Sequence, residues 1–139
     1  MKIPFLFLLI FSAFLGTANA QLLETSKVPQ TIRSVFEKRY PGISPKWELE
    51  DGKFDAEFKR DHKKVEIFFD RKGNSSEKIE ADKIPTEITT YINEHYKGEK
   101  PKKIKKLITM NDEVSYTLEV HSKMLTFDSK GNFLSDKKS

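Results

Sequence analysis

Two stretches of the chain carry apolar residues at the spacing of a single helical stripe. Val28, Ile32, Val35, Phe36 and Tyr40 fall at i, i+4, i+7, i+8 and i+12, and Ile84, Ile88, Tyr91, Ile92 and Tyr96 repeat that spacing 56 residues later. The pattern predicts two amphipathic helices, each offering one face to a core. Pro29 and Pro85 open them, in the first turn, where a missing N–H breaks no helical bond, and Gly42 and Gly98 follow as stops. After each helix the period changes to two. Trp47 and Leu49, then Phe54, Ala56 and Phe58, then Val65, Ile67 and Phe69 alternate with charged residues, which predicts three half-buried antiparallel strands. The second half repeats this with Ile104 and Ile108, then Val114, Tyr116, Leu118 and Val120, then Leu125 and Phe127. Hairpin turns are expected at Asp51-Gly52, Arg60-Asp61-His62, Asn111-Asp112 and His121-Ser122. A further turn recurs almost letter for letter: Asp70-Arg71-Lys72-Gly73-Asn74 matches Asp128-Ser129-Lys130-Gly131-Asn132, with Asp at the first corner and Gly where a positive φ is required. A short fourth strand follows each, ending around Ile79 and Leu134.

The unit is therefore one helix followed by four strands, taken twice, over residues 27–80 and 81–136. Each helix has one apolar stripe and each set of strands one apolar face, so burial sets them against each other. The expected class is α+β, an antiparallel sheet with both helices packed on one face. Glu80-Ala81-Asp82-Lys83 is too short a linker to let the halves move independently, so residues 21–139 are expected to form a single domain.

Ahead of this unit the pattern differs. Lys2 precedes an apolar run from Ile3 to Leu15, and small residues stand at Ala18 and Ala20. Those features predict a secretory signal over residues 1–20, cleaved after Ala20 and too short to span a bilayer. The expected location is the periplasm or the cell exterior. Outside the leader, 24 basic and 21 acidic residues nearly balance. Cys is absent, which excludes a disulfide scaffold, a thiolate metal site and a Cys nucleophile.

The ordered series Val28-Pro29, Tyr40-Pro41-Gly42, Lys46-Trp47-Glu48, Phe54-Asp55-Ala56-Glu57-Phe58, Phe69-Asp70 through Gly73, and Ile84-Pro85 resembles the PepSY-like family of exported bacterial proteins, whose fold is likened to that of the beta-lactamase inhibitory protein. The resemblance implies a secreted or periplasmic protein with tandem repeats. It implies no catalytic residues to carry over. The second unit departs from the pattern: Lys97 stands where a second Tyr-Pro-Gly would place Pro, and no Trp answers Trp47.

Candidate chemistry is sparse. His62 and His121 fall in hairpin turns and His95 on the second helix, with no i, i+4 pair of the kind a helical zinc site uses. Glu48, Glu50, Asp55, Glu57 and Glu66 project opposite the core stripe, interleaved with Lys46, Lys53, Lys59, Lys63 and Lys64, and read as a solvated face with cross-strand ion pairs. Lys72 and Lys130 sit where a calcium loop would need acids. No G-x-S-x-G elbow, S-x-x-K box or phosphate-cradling glycine loop occurs. A non-enzyme without a cofactor is expected.

Two surfaces stand out as binding candidates. Phe68 breaks the alternation between Ile67 and Phe69, so it points away from the helices, as Leu107 and Met124 do in the second unit. Phe68 and Met124, set among Lys64, Lys103 and Lys105, make the outer sheet face the candidate surface for an exported protein partner, and inhibition of an exported enzyme is one form such binding could take. The second candidate is the run from Lys97 to Lys106, with six Lys and one Glu. Lys100, Lys102, Lys103, Lys105 and Lys106 would there hold an anionic envelope glycan or lipid head group. The bland alternative is a lysine-rich edge strand that discourages aggregation. Nucleic acid is disfavoured, because the run has no aromatic residue for base stacking.

Overall fold

The computed structural model describes residues 20–139; the signal sequence expected over residues 1–20 lies outside them except for Ala20. Two helices of equal length, α1 (Gln30–Arg39) and α2 (Thr86–His95), keep the spacing of the repeat. Pro29 and Pro85 stand one position before the first turn, as N-caps. The strands are β1 (Ala20–Leu23), β2 (Lys46–Glu50), β3 (Lys53–Arg60), β4 (Lys63–Phe69), β5 (Ser75–Lys78), β6 (Lys102–Ile108), β7 (Val114–Val120), β8 (Lys123–Asp128) and β9 (Phe133–Lys138). They form one antiparallel sheet in sequential order. The ninth strand is the addition to the sequence reading. Gln21-Leu22-Leu23 is too short to show a period, and it becomes a strand only because β2 offers a free edge to pair with.

Which face holds the helices follows from register. Trp47, Ala56, Ile67, Glu77, Lys106, Tyr116 and Phe127 lie directly opposite one another from β2 to β8, so they share one face. At one end of this row Trp47, Ala56 and Ile67 join Val28, Ile32 and Phe36 of the first helical segment in a core. At the other end Tyr116 and Phe127 join Ile88 and Ile92 of α2. Both helices therefore pack on one face, over two separate apolar clusters. Phe36 is the centre of the first, with Trp47, Phe58 and Phe69 in edge-on contact with it at 5.5, 5.7 and 6.4 Å between centroids.

Between the clusters the row turns polar. Glu77 and Lys106 stand opposite each other at the seam, and Arg60 bonds Glu77 at 2.7 Å. The repeats are also tied by one side chain from α1. Arg39 donates to Thr109 O at 2.7 Å, to Ser75 Oγ at 3.1 Å and to Asp112 at 3.2 Å, reaching the turn between β6 and β7.

The turns use the chemistry expected of them. Asp70 Oδ1 accepts from the backbone N–H of Lys72 and Asn74, and Asp128 Oδ1 does the same for Lys130 and Asn132. Gly131 is obligatory for two reasons. Its φ is +92°, and a Cβ there would come within 2.7 Å of Glu87 Cβ on α2.

Candidate partner-binding face

Opposite the helices lies a second cross-strand row. Leu22, Glu48, Asp55, Phe68, Ser76, Leu107, Ser115 and Asp128 succeed one another from β1 to β8. Among the described residues neither helix packs over it, and it is the face from which the outward residues of every strand project. Phe68 and Leu107, half-buried, flank Ser76 near the middle of the sheet. They stand two strands apart, about 10 Å at ordinary strand spacing.

The sequence-derived candidates scatter on this face. Lys105 pairs in register with Lys78 and Thr117, two residues along β6 from Leu107 on the outer side, and so lies close to Phe68. Lys64 sits four residues along β4 from Phe68 and bonds Glu57 at 3.4 Å and Glu66 at 3.0 Å. Lys103 occupies a bulge in β6 with φ +52°, its Nζ 3.7 Å from Glu119. Met124, opposite Glu119, lies on β8, four strands from Phe68 and four residues along from its row, about 23 Å away. Phe68, Leu107 and Lys105 make a compact group; Met124 marks the far end of the same face.

The lysine run is not an edge. β6 lies between β5 and β7 in the interior of the sheet, so shielding an open edge does not account for it. Strand alternation also divides it. Lys106 lies on the helix side, opposite Glu77 and Tyr116, whereas Lys105 faces outward. Lys100 and Lys102 are exposed at the entry to β6, with Lys102 opposite Glu119. Lys106 is thereby separated from Lys105. Lys106 instead helps line a cleft of about 670 Å³ at the seam between the repeats, along with Tyr40, Arg60, Glu77 and Tyr116.

Asp55 is the residue whose character the sequence did not reveal. It lies among the outward acids, yet only 3% of it is exposed and its Oδ1 has no hydrogen-bond partner. Burial pushes its pKa up from 3.8 to about 7, with Glu66, Glu48, Glu50 and Glu57 adding to the shift. Lys46 and Lys64 bond Glu48, Glu57 and Glu66 from the margins of this cluster, and neither makes an ion pair with Asp55. The expected solvated face with ion pairs is present at the rim; its centre is a buried carboxyl without an ion-pair partner. No sequence signal separates Asp55 from its neighbours, which share its alternation; in the sheet it stands between Phe68 on one side and Glu48 on the other.

The histidines stay apart. His62 and His121 sit in tight two-residue turns with positive φ, and His95 stacks on Tyr91 at 4.0 Å. Among the described residues no three His, Asp or Glu side chains converge in a way that could hold a metal ion.

Comparison with known proteins places this architecture. The family model described as beta-lactamase-inhibitor-like, PepSY-like matches twice, over residues 17–77 and 52–135. The chain belongs to the PepSY-like family. The double match accords with the two helix-and-strand units. Solved structures share the fold: a DUF2874-family protein of Bacteroides ovatus (16% identity, TM-score 0.57, covering 79% of this chain and 86% of that one) and a BLIP-like protein of Bacteroides fragilis (22%, 0.54, 79% and 85%). A Bacteroides eggerthii protein described as periplasmic is similar at 12% identity, TM-score 0.55, over 80% and 88% of the two chains. No protein with a curated description matches. Among the described residues no helix is long and apolar enough to cross a membrane.

Proposed function

We propose that this PepSY-like protein is an exported, non-enzymatic module that binds a protein partner through the helix-free face of its sheet. The observation that carries the reading is the outer cross-strand row. It sets Phe68 and Leu107 on a broad face that neither helix covers, whereas the apolar residues of the other face are taken up by two cores. The beta-lactamase-inhibitor-like family description favours a protein partner over a small substrate. The signal sequence expected over residues 1–20 and a neighbour described as periplasmic favour an envelope location. Inhibition of an exported enzyme is the form of binding that the family description suggests.

The test is retention from the producing cell's envelope fraction at low and high salt. Wild-type protein is expected to hold one protein species through the high-salt wash, and Phe68→Asp to lose it, with circular dichroism checking that the variant is folded. Retention of glycan or lipid alone, released by salt and abolished by neutralising Lys100, Lys102, Lys103 and Lys105, would replace this reading with an anion-binding one.

A further inference from the structure

We infer that the Asp55 cluster is the part of the helix-free face that selects the partner, by receiving a cationic Arg or Lys side chain from it. The inference rests on the docking face proposed above and gives the partner a chemistry. Asp55 is almost wholly buried on a face that neither helix covers, and its Oδ1 bonds to nothing. An unpaired buried acceptor is costly, and such groups are rare in folded proteins. Glu48 stands beside it in register on β2 and Glu57 two residues along β3, while Glu66 pairs with Glu57 on β4. Among the described residues the cations that bond this cluster, Lys46 and Lys64, do so at its rim, at 3.5 Å from Glu48, 3.4 Å from Glu57 and 3.0 Å from Glu66. The centre therefore lacks the one group it calls for, a hydrogen-bonding cation.

Charge complementarity excludes the opposite partner. An acidic or phosphorylated segment would bring a like charge onto four glutamates and Asp55. Nor is the cluster a side effect of an acidic protein, since the whole chain is basic, with a pI of about 9.1. A cation-seeking site here works against the mean field, which makes it a source of specificity in place of general attraction. Phe68, directly opposite Asp55, supplies the apolar border that an Arg or Lys stem packs against as its head reaches the carboxylates. Phe68 is half-buried on the face that carries no helix, so the head reaches the cluster from that side. Arrival of the cation draws Asp55 into its ionised form, so below about pH 7 binding releases a proton, and it tightens as pH rises to about 7 and levels off above. The other charged groups on this face around Asp55 are Glu48, Glu50 and Lys46 from β2, Lys53 and Glu57 from β3, and Glu66 and Lys64 from β4.

The experiment selects a random peptide library, displayed on phage, on the immobilised protein at pH 7.5. The expected winners carry an Arg or Lys next to an apolar residue and bind less well at pH 6. Replacing that Arg or Lys by Gln and making Asp55→Asn should each weaken binding at least 10-fold. The double change should cost little more than either alone, since both remove the same interaction. If the peptides lose binding to Phe68→Asp but ignore both Asp55→Asn and their own Arg→Gln change, the inference fails and the docking face stands. If they bind Phe68→Asp and Asp55→Asn as they bind wild type, both readings fail.

Discussion

Replacing Asp55 by Asn isolates what the unpaired carboxyl costs the fold. Asn has the same shape and cannot ionise. In the native state Asp55 holds its proton to about pH 7, whereas in the unfolded chain it loses it near 3.8. Between those values the native state binds more protons than the unfolded state, so stability falls as pH rises across that window and levels off above it. The interval corresponds to about 4 kcal/mol at about 1.4 kcal/mol per pH unit, and water and the rim lysines reduce it to about 2–3 kcal/mol. Other displaced carboxylates do not interfere. Hydrogen bonds from the turn at Asn74 hold Asp70 below its ordinary value, as those from Asn132 do for Asp128 and those from Arg39 and Lys38 for Asp112. Their contribution is present above about pH 4 and lost only below it. Urea unfolding at pH 4.5 and pH 8 is the assay. The wild-type midpoint should drop by about 1–2 M between the two, that of the Asp55→Asn variant should hold, and the two proteins should nearly coincide at pH 4.5. Equal midpoints at pH 8, or a wild type that gains stability as pH rises, would refute the description of Asp55 as a buried, unpaired acid.

Two further outcomes follow from the packing. Gly131→Ala should cost about 2 kcal/mol or more, because a positive φ combines with a Cβ 2.7 Å from Glu87, whereas Gly73→Ala, at φ +93° but with 3.6 Å to its nearest neighbours, should cost about 1 kcal/mol; paired thermal melts decide it. Arg39→Met should cost about 1–3 kcal/mol by leaving Ser75 Oγ without its donor and Thr109 O with only the Asp112 N–H, while Lys38→Met, from an exposed pair with Asp112, should change urea stability by less than about 0.5 kcal/mol.

The helices, the eight strands of the two repeats and the paired Asp-Gly-Asn turns were legible in the sequence because each depends on local spacing: 3.6-residue stripes, alternation, and a Gly at a fixed offset. What escaped depends on register between distant segments. β1 has no pattern of its own and exists through its pairing with Leu49 and Trp47. Lys106 reads like its lysine neighbours, yet alternation turns it toward Glu77. Asp55 looks like any outward acid of an alternating strand, yet in the sheet, between Glu48 and Phe68, it is buried. Arg39 looks like a solvent-facing residue at a helix end until the second repeat brings Thr109 and Asp112 to it. The outer position of Phe68 was legible, since two apolar residues cannot both face the core from adjacent strand positions.

The central claim is that a partner covers the helix-free face, and the lysines report on it from both sides. Brief acetylation of the partner-bound and free protein, read by mass spectrometry, compares Lys64 and Lys105 on the outer face with Lys38 on α1 and Lys83 before α2. Lys64 and Lys105 should be protected in the complex, with Lys38 and Lys83 modified as in the free protein. Protection of Lys38 and Lys83 with Lys64 and Lys105 still reactive would contradict it.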